Sequence, residues 1–111
     1  PLTRARDTAS ILQSLLRSKP HVQICAELDP AAAPRTLFTL LNALPPDAVV
    51  LCIGHEPHLS MAAGILLTGK PCRGLSLKKA GACLIHVEDS VRPSMGRLEW
   101  WVTAAQLRAL A

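Results

Sequence analysis

The run Val49-Val50-Leu51-Cys52-Ile53 constrains this chain more than any other stretch. Five apolar residues stop abruptly at Gly54-His55, and a helix pattern opens at once with Pro57 and His58 at its mouth. A short apolar run bounded in this way predicts a strand covered on both faces. Proline fits the first turn of a helix, where its missing N–H costs nothing. In open α/β sheets, ligands bind at the carboxyl ends of strands, which is where His55 would stand. The expectation is that His55 faces an anion, phosphate above all.

The rest of the chain reads as helices alternating with strands. Thr8, Ile11, Leu12 and Leu15 recur at helical spacing, predicting a helix from Pro1 to Ser18 with one buried face, ended by Pro20. His21 to Cys25 reads as a short strand and Glu27 to Pro30 as a loop. Pro34 opens a second helix, with Leu37, Leu40, Leu41 and Leu44 on its apolar stripe and Pro45-Pro46 to stop it. Ala48 to Ile53 is the central strand. The helix after His55 runs to about Leu67, with Leu59, Ala63 and Leu66 inward and Gly69 as its end. Ala82 to Glu88 and Arg97 to Val102 read as an antiparallel edge pair, with Leu98, Trp100 and Val102 on one side and Arg97, Glu99 and Trp101 on the other. Ala104 to Leu110 closes the chain as a helix. This order predicts one α/β domain over 1–111: a three-layer α/β/α sandwich around a mostly parallel sheet, with right-handed crossovers.

Half of the residues are hydrophobic, enough for a real core, and the net charge of +4 weakly favours anionic partners. Aromatic residues make up 3% of the chain, too few to stack on bases, which argues against nucleic acid. No apolar run is long enough to span a bilayer, so no membrane partner is expected. Cys25, Cys52, Cys72 and Cys83 form no C-x-x-C pair. Cys25, Cys52 and Cys83 sit in apolar runs and read as buried free thiols of a reducing, cytoplasmic compartment.

Several side chains carry chemistry in this pattern. Arg4 stands in the first turn of a helix, where free N–H groups favour an anion, and its guanidinium can grip two phosphate oxygens. An ion pair with Asp7 is the alternative. An imidazole at His55 can stabilise charge on phosphoryl oxygens; a backbone-bonded loop histidine is the alternative. His55 and His58 stand as H-E-P-H rather than H-E-x-x-H, so a metal is not expected. Gly64 to Lys70 imitates a phosphate loop, but Pro71 replaces the required Ser or Thr and the segment reads as a helix C-terminus. Lys78 and Lys79 are either solvated or within reach of a phosphorylated partner. Glu27 and Asp29 read as loop carboxylates.

Taken together, Pro1-Leu2-Thr3-Arg4-Ala5-Arg6-Asp7-Thr8-Ala9, Glu27-Leu28-Asp29-Pro30, Gly54-His55-Glu56-Pro57 and Leu77-Lys78-Lys79-Ala80-Gly81 resemble the histidine phosphatase superfamily, and within it the SixA-type phosphohistidine phosphatases. The resemblance runs through essentially the whole chain in order. It implies hydrolysis through a covalent phosphohistidine, with no metal or other cofactor. By motif match Arg4 is the second arginine of the phosphate clamp and His55 its second histidine, and the Glu56 backbone N–H helps to bind phosphate. The implied substrate is phosphohistidine on a phosphorylated protein, or else a small phosphate ester.

The Arg-His-Gly segment that carries the nucleophile in that family is absent from these 111 residues. The chain is therefore expected to be the later part of such a domain, truncated at its amino end and missing strands that belong in the middle of the sheet. Two rival readings follow: a module that binds phosphate or a phosphoprotein without turnover, and an inactive fragment.

Overall fold

The computed structural model of the protein describes residues 3–18 and 20–110. Pro1 and Leu2, with which the first helix pattern and the opening motif begin, lie outside the described residues. Four α-helices are present among the described residues: α1 (Thr3–Leu15), α2 (Pro34–Asn42), α3 (His58–Thr68) and α4 (Ala104–Leu110). A single turn of 3₁₀ helix covers Ala26–Leu28, and two strands, β1 (Ala82–Val87) and β2 (Gly96–Val102), pair antiparallel.

The centre of the molecule is α3. Ala62, Ala63, Ile65 and Leu66 are buried on it, and even its polar members His58 and Ser60 are covered. A helix apolar around most of its circumference is stable only when enclosed. Leu37 and Phe38 of α2, each 4% exposed, pack with Ala62, Ile65 and Leu66. Burial of side chains this size stabilises by about 1.5–3 kcal/mol each. Pro34 starts α2 as the sequence pattern predicts. Phe38, absent from the predicted stripe, is as deeply placed as Leu37.

Gly69 ends α3 with φ of 93°, and its N–H donates to the Ile65 carbonyl at 2.9 Å. The imitation phosphate loop is thus a helix C-terminus. Gly64 answers a second constraint: a Cβ there would stand 2.8 Å from the Cys72 backbone nitrogen. The 70–72 backbone therefore presses directly on the helix.

The expected edge pair forms, in the register Leu84↔Trp100 and Val87↔Gly96, with an irregularity between Leu84 and Ile85. Arg97 and Glu99 share a face and are hydrogen-bonded at 3.0 Å. The opposite face is less covered than the alternation predicts, since both Leu98 and Trp100 are exposed. The loop between the strands is tied to α2: Asn42 Nδ2 donates to the Val91 carbonyl at 2.9 Å, and the Val91 N–H donates to Asn42 Oδ1 at 2.6 Å.

The expected three-layer sandwich with a mostly parallel sheet is overturned. Among the described residues, the sheet is β1 and β2 alone. Residues 20–25 and 48–55 are extended or irregular, and neither 21–24 nor 49–54 makes a backbone hydrogen bond to another segment. Val49 is 96% exposed and Leu51 62%. The physical reason is pairing. An antiparallel hairpin closes on itself through a short loop, whereas parallel strands need neighbours brought by crossovers. An apolar run specifies a strand-like backbone without supplying the strand beside it.

The first helix is also corrected. It ends at Leu15 rather than Ser18, and none of its residues is buried. Ile11 and Leu15, from its predicted inward face, are exposed. No helix among the described residues is long and apolar enough to cross a membrane.

Candidate functional site

His55 is the last residue of the extended stretch, and α3 begins three residues later. Its carbonyl accepts the Leu59 N–H at 3.1 Å, which fixes the loop against the first turn of the helix. The ring is half-buried, and its Nε2 is fully covered with no hydrogen-bond partner. An unpaired buried nitrogen costs free energy and marks a place where a ligand group would be accommodated.

Glu56 has a structural task. One carboxylate oxygen accepts the Ser60 N–H at 3.0 Å, and the other accepts the Ser60 hydroxyl. Ser60 Oγ in turn accepts the Leu77 N–H at 2.8 Å. A carboxylate over a helix N-terminus is favoured by the free N–H groups and the helix dipole. This chain of bonds pins the 71–77 loop to α3. The backbone N–H of Glu56 remains without a backbone partner, as does that of His58.

His58 is the residue that sequence reasoning undervalued. It is 2% exposed, and neither ring nitrogen has a partner. Burial pushes its pKa below the ordinary value, while the nearby Asp29 carboxylate acts weakly in the opposite sense. It is a neutral imidazole enclosed beside the site. The signal was present in the spacing: His58, Ala62, Ile65 and Leu66 fall on one face of α3.

The arginines divide differently from expectation. Arg4 lies in the first turn of α1, as predicted, but is exposed and forms no ion pair with Asp7. A cleft that His55 helps to line is bordered on its α1 side by Ala5, Arg6, Ala9 and Leu12. Arg6, not Arg4, shares it with His55. The cleft has a volume of about 430 Å³; its other walls are mainly apolar residues of 20–25, α2 and 49–53, and Gln13, His21 and Gln23 also line it. Lys78 and Lys79 line a separate hollow with Thr103 and Arg108. Asp29 caps its own turn by accepting the Ala31 N–H at 2.9 Å.

The four cysteines are free and half-buried rather than fully enclosed. Burial pushes Cys52 up, reinforced by the adjacent Cys25, and Cys83 up, reinforced by Glu56. Raised thiols are poor nucleophiles at neutral pH.

The arrangement defines a class only coarsely: a helical domain with an antiparallel hairpin, whose candidate site lies at the amino end of its central helix. No family model matches the chain. It is 36% identical over 83 residues to an uncharacterized protein of Picosynechococcus sp., a match that takes in 73% of this chain and 50% of that protein. The chain thus spans about half the length of the curated relative it matches.

Proposed function

We propose that this chain is the phosphate-binding portion of a cytoplasmic phosphatase of the histidine phosphatase type, acting on phosphohistidine in proteins, with the attacking histidine outside these residues. The observation that carries the reading is the covered, partnerless Nε2 of His55 at the mouth of α3. An imidazole held there, with free backbone N–H groups at Glu56 and His58 beside it, suits a tetrahedral oxyanion. Phosphoryl transfer depends chiefly on placing and neutralising those oxygens. The motif order through Gly54-His55-Glu56-Pro57 supports the same reading. By motif match Arg4, in the first turn of α1, is the second charge of the clamp, while the Glu56 side chain holds the helix end.

A second reading is favoured by the absence of an Arg-His-Gly segment from the sequence: by itself the chain binds phosphate without turnover. Titration of the 111-residue chain with inorganic phosphate, followed by the ring resonances of all four histidines, tests both. A saturable shift at His55, weakened about tenfold or more in Arg4→Ala, is the expected result for loss of a charge-assisted contact. His55 resonances that stay fixed at the highest phosphate concentration defeat the assignment.

A further inference from the structure

The hollow lined by Lys78, Lys79, Thr103 and Arg108 differs from the His55 cleft in its charge. Three cations converge on it and no carboxylate lines it. All three are exposed, and none joins the ion pairs among the described residues, which link His86 and Arg97 to Glu88 and Glu99. Like charges gathered without a counter-charge repel one another, and together they set up a local positive potential that draws in anionic groups.

Backbone geometry fixes where these cations stand. The Lys78 carbonyl accepts the Gly81 N–H at 2.8 Å, closing a tight turn with Ala80 at φ of 59°. That turn is seated on the end of β2: a Cβ on Gly81 would meet the Val102 oxygen at 3.3 Å. Thr103 follows at once. Its hydroxyl accepts the Gln106 N–H at 3.1 Å, and its own N–H donates to Gln106 Oε1 at 2.9 Å. The reciprocal pair sets the start of α4 and brings Arg108 of that short helix to the lysine turn. The hollow also adjoins the amino end of α3. Leu77, the residue before Lys78, donates its N–H to Ser60 Oγ in the first turn of that helix. Ser60 is bonded to Glu56, the neighbour of His55. The lysine turn thus begins one residue beyond a hydrogen-bonded chain that ends beside the candidate site.

We propose that the hollow of Lys78, Lys79 and Arg108 docks an acidic segment of a partner protein, and that this segment flanks the phosphorylated residue presented to His55. The second half rests on the phosphatase reading; the first does not. Lysines are point charges on flexible stems, which suit carboxylates spread along a chain better than one fixed anion. A nucleic acid would find no aromatic side chain in the lining on which to stack a base.

The test uses the 111-residue chain and two synthetic peptides, EDEAHAEDE and its uncharged counterpart QNQAHAQNQ. Amide resonances are read at residues 78–81 and 103–108. EDEAHAEDE gives saturable shifts there, and its affinity falls as salt is raised, because the contacts are exposed charges. Lys78→Glu with Lys79→Glu weakens it about tenfold or more, and Arg108→Gln about threefold, since each exposed pair contributes only a small factor. Lys78→Gln with Lys79→Gln weakens it about threefold or more and serves where the reversal disturbs the turn. Arg35→Glu with Arg92→Glu, exposed cations outside the hollow, changes the net charge equally and weakens it less than about twofold.

Absence of shifts at 78–81 and 103–108 overturns the proposal, as does equal weakening by the Arg35 and Arg92 pair or equal binding of QNQAHAQNQ. So does the same set of shifts from inorganic phosphate alone at the same concentration, or a tighter complex of the hollow with a single strand of about eight nucleotides. The phosphatase reading is judged separately, by phosphate at the His55 ring. An occupied hollow with a fixed His55 removes that reading and the substrate half of the proposal together. A shifted His55 with an empty hollow removes the docking alone.

Discussion

The two sides of α2 could hardly be packed more differently. On the side facing α3, Leu37 and Phe38 are buried against Ala62, Ile65 and Leu66, and the hairpin loop is clipped on by Asn42. Toward the cleft, which Leu37 also reaches, Leu40 and Leu41 are half covered and lean on that core, Leu44 is exposed, and α1 contributes no buried residue at all. Hydropathy is comparable on both sides. What differs is the cover: α3 and the hairpin loop close over one side, while the segments 20–25 and 48–55 beside the other are unpaired among the described residues.

The largest effect expected from this contrast is at Phe38. Phe38→Ala should cost about 3–5 kcal/mol in a urea melt, the usual range for removing a large aromatic from a packed core. A loss below about 1 kcal/mol would mean that the α2–α3 contact is as loose as the cleft side, and the contrast would vanish.

His55 stands at the seam between the two regions, carried by the loose segment and bonded to the firm helix. On the proposed function, His55→Ala in a longer chain that carries the attacking histidine should reduce turnover by on the order of a hundredfold or more, as loss of one oxyanion-binding group does elsewhere. Wild-type turnover in that variant would remove His55 from the site.

Gly64 probes the firm side. Gly64→Ala gains helix propensity of roughly 1 kcal/mol. The new Cβ must nevertheless displace the Cys72 nitrogen at 2.8 Å and the Lys70 carbonyl at 3.3 Å, both backbone atoms. A net loss of about 1–2 kcal/mol is expected, because overpacking against backbone outweighs the gain. A stabilised variant would show that the 70–72 segment yields.

The legibility of the sequence follows the same division. Pro34, Gly69 and the hairpin could be read in advance because each signal is local: a fixed φ, a left-handed cap, two short alternating runs with a turn between them. Phe38 falls outside the predicted face because the leucine stripe is centred about 100° away around the helix. The Asn42–Val91 clasp joins residues 49 positions apart and leaves no mark in the pattern. The central run at Val49 to Ile53, expected as a buried strand, forms none, since its composition reports the need for burial and not the presence of a cover. At the candidate site, the sequence marks the loop position of His55 ahead of α3, whereas the enclosure of His58 follows from α3 being surrounded, a fact its own periodicity only hints at.

His58 makes the firm region pH-sensitive. Its folded-state pKa is depressed by burial, so the unfolded chain binds its proton more readily. The contribution to stability is complete above the ordinary value of about 6.5 and is lost as the pH falls from there through the depressed one. Urea midpoints should therefore drop between pH 8 and pH 5.5, and His58→Leu should shrink that drop. An unchanged drop in the variant would place His58 in contact with water.

The smallest expected effect is the most discriminating. Ile11 and Leu15 fall on the helical stripe that the sequence marks for burial, yet they are 59% and 74% exposed and line no part of the cleft. Exposed substitutions away from caps and cores change stability by less than about 0.5 kcal/mol. Ile11→Ala and Leu15→Ala should do the same in the 111-residue chain, with helix propensity slightly offsetting any lost contact. A cost above about 1.5 kcal/mol for either would show that α1 buries its stripe in solution, so that the loose side has a core of its own. The opposite outcome carries equal weight: a stripe that is apolar, helical and energetically silent is one this chain leaves uncovered, and its silence is the counterpart of the large loss at Phe38.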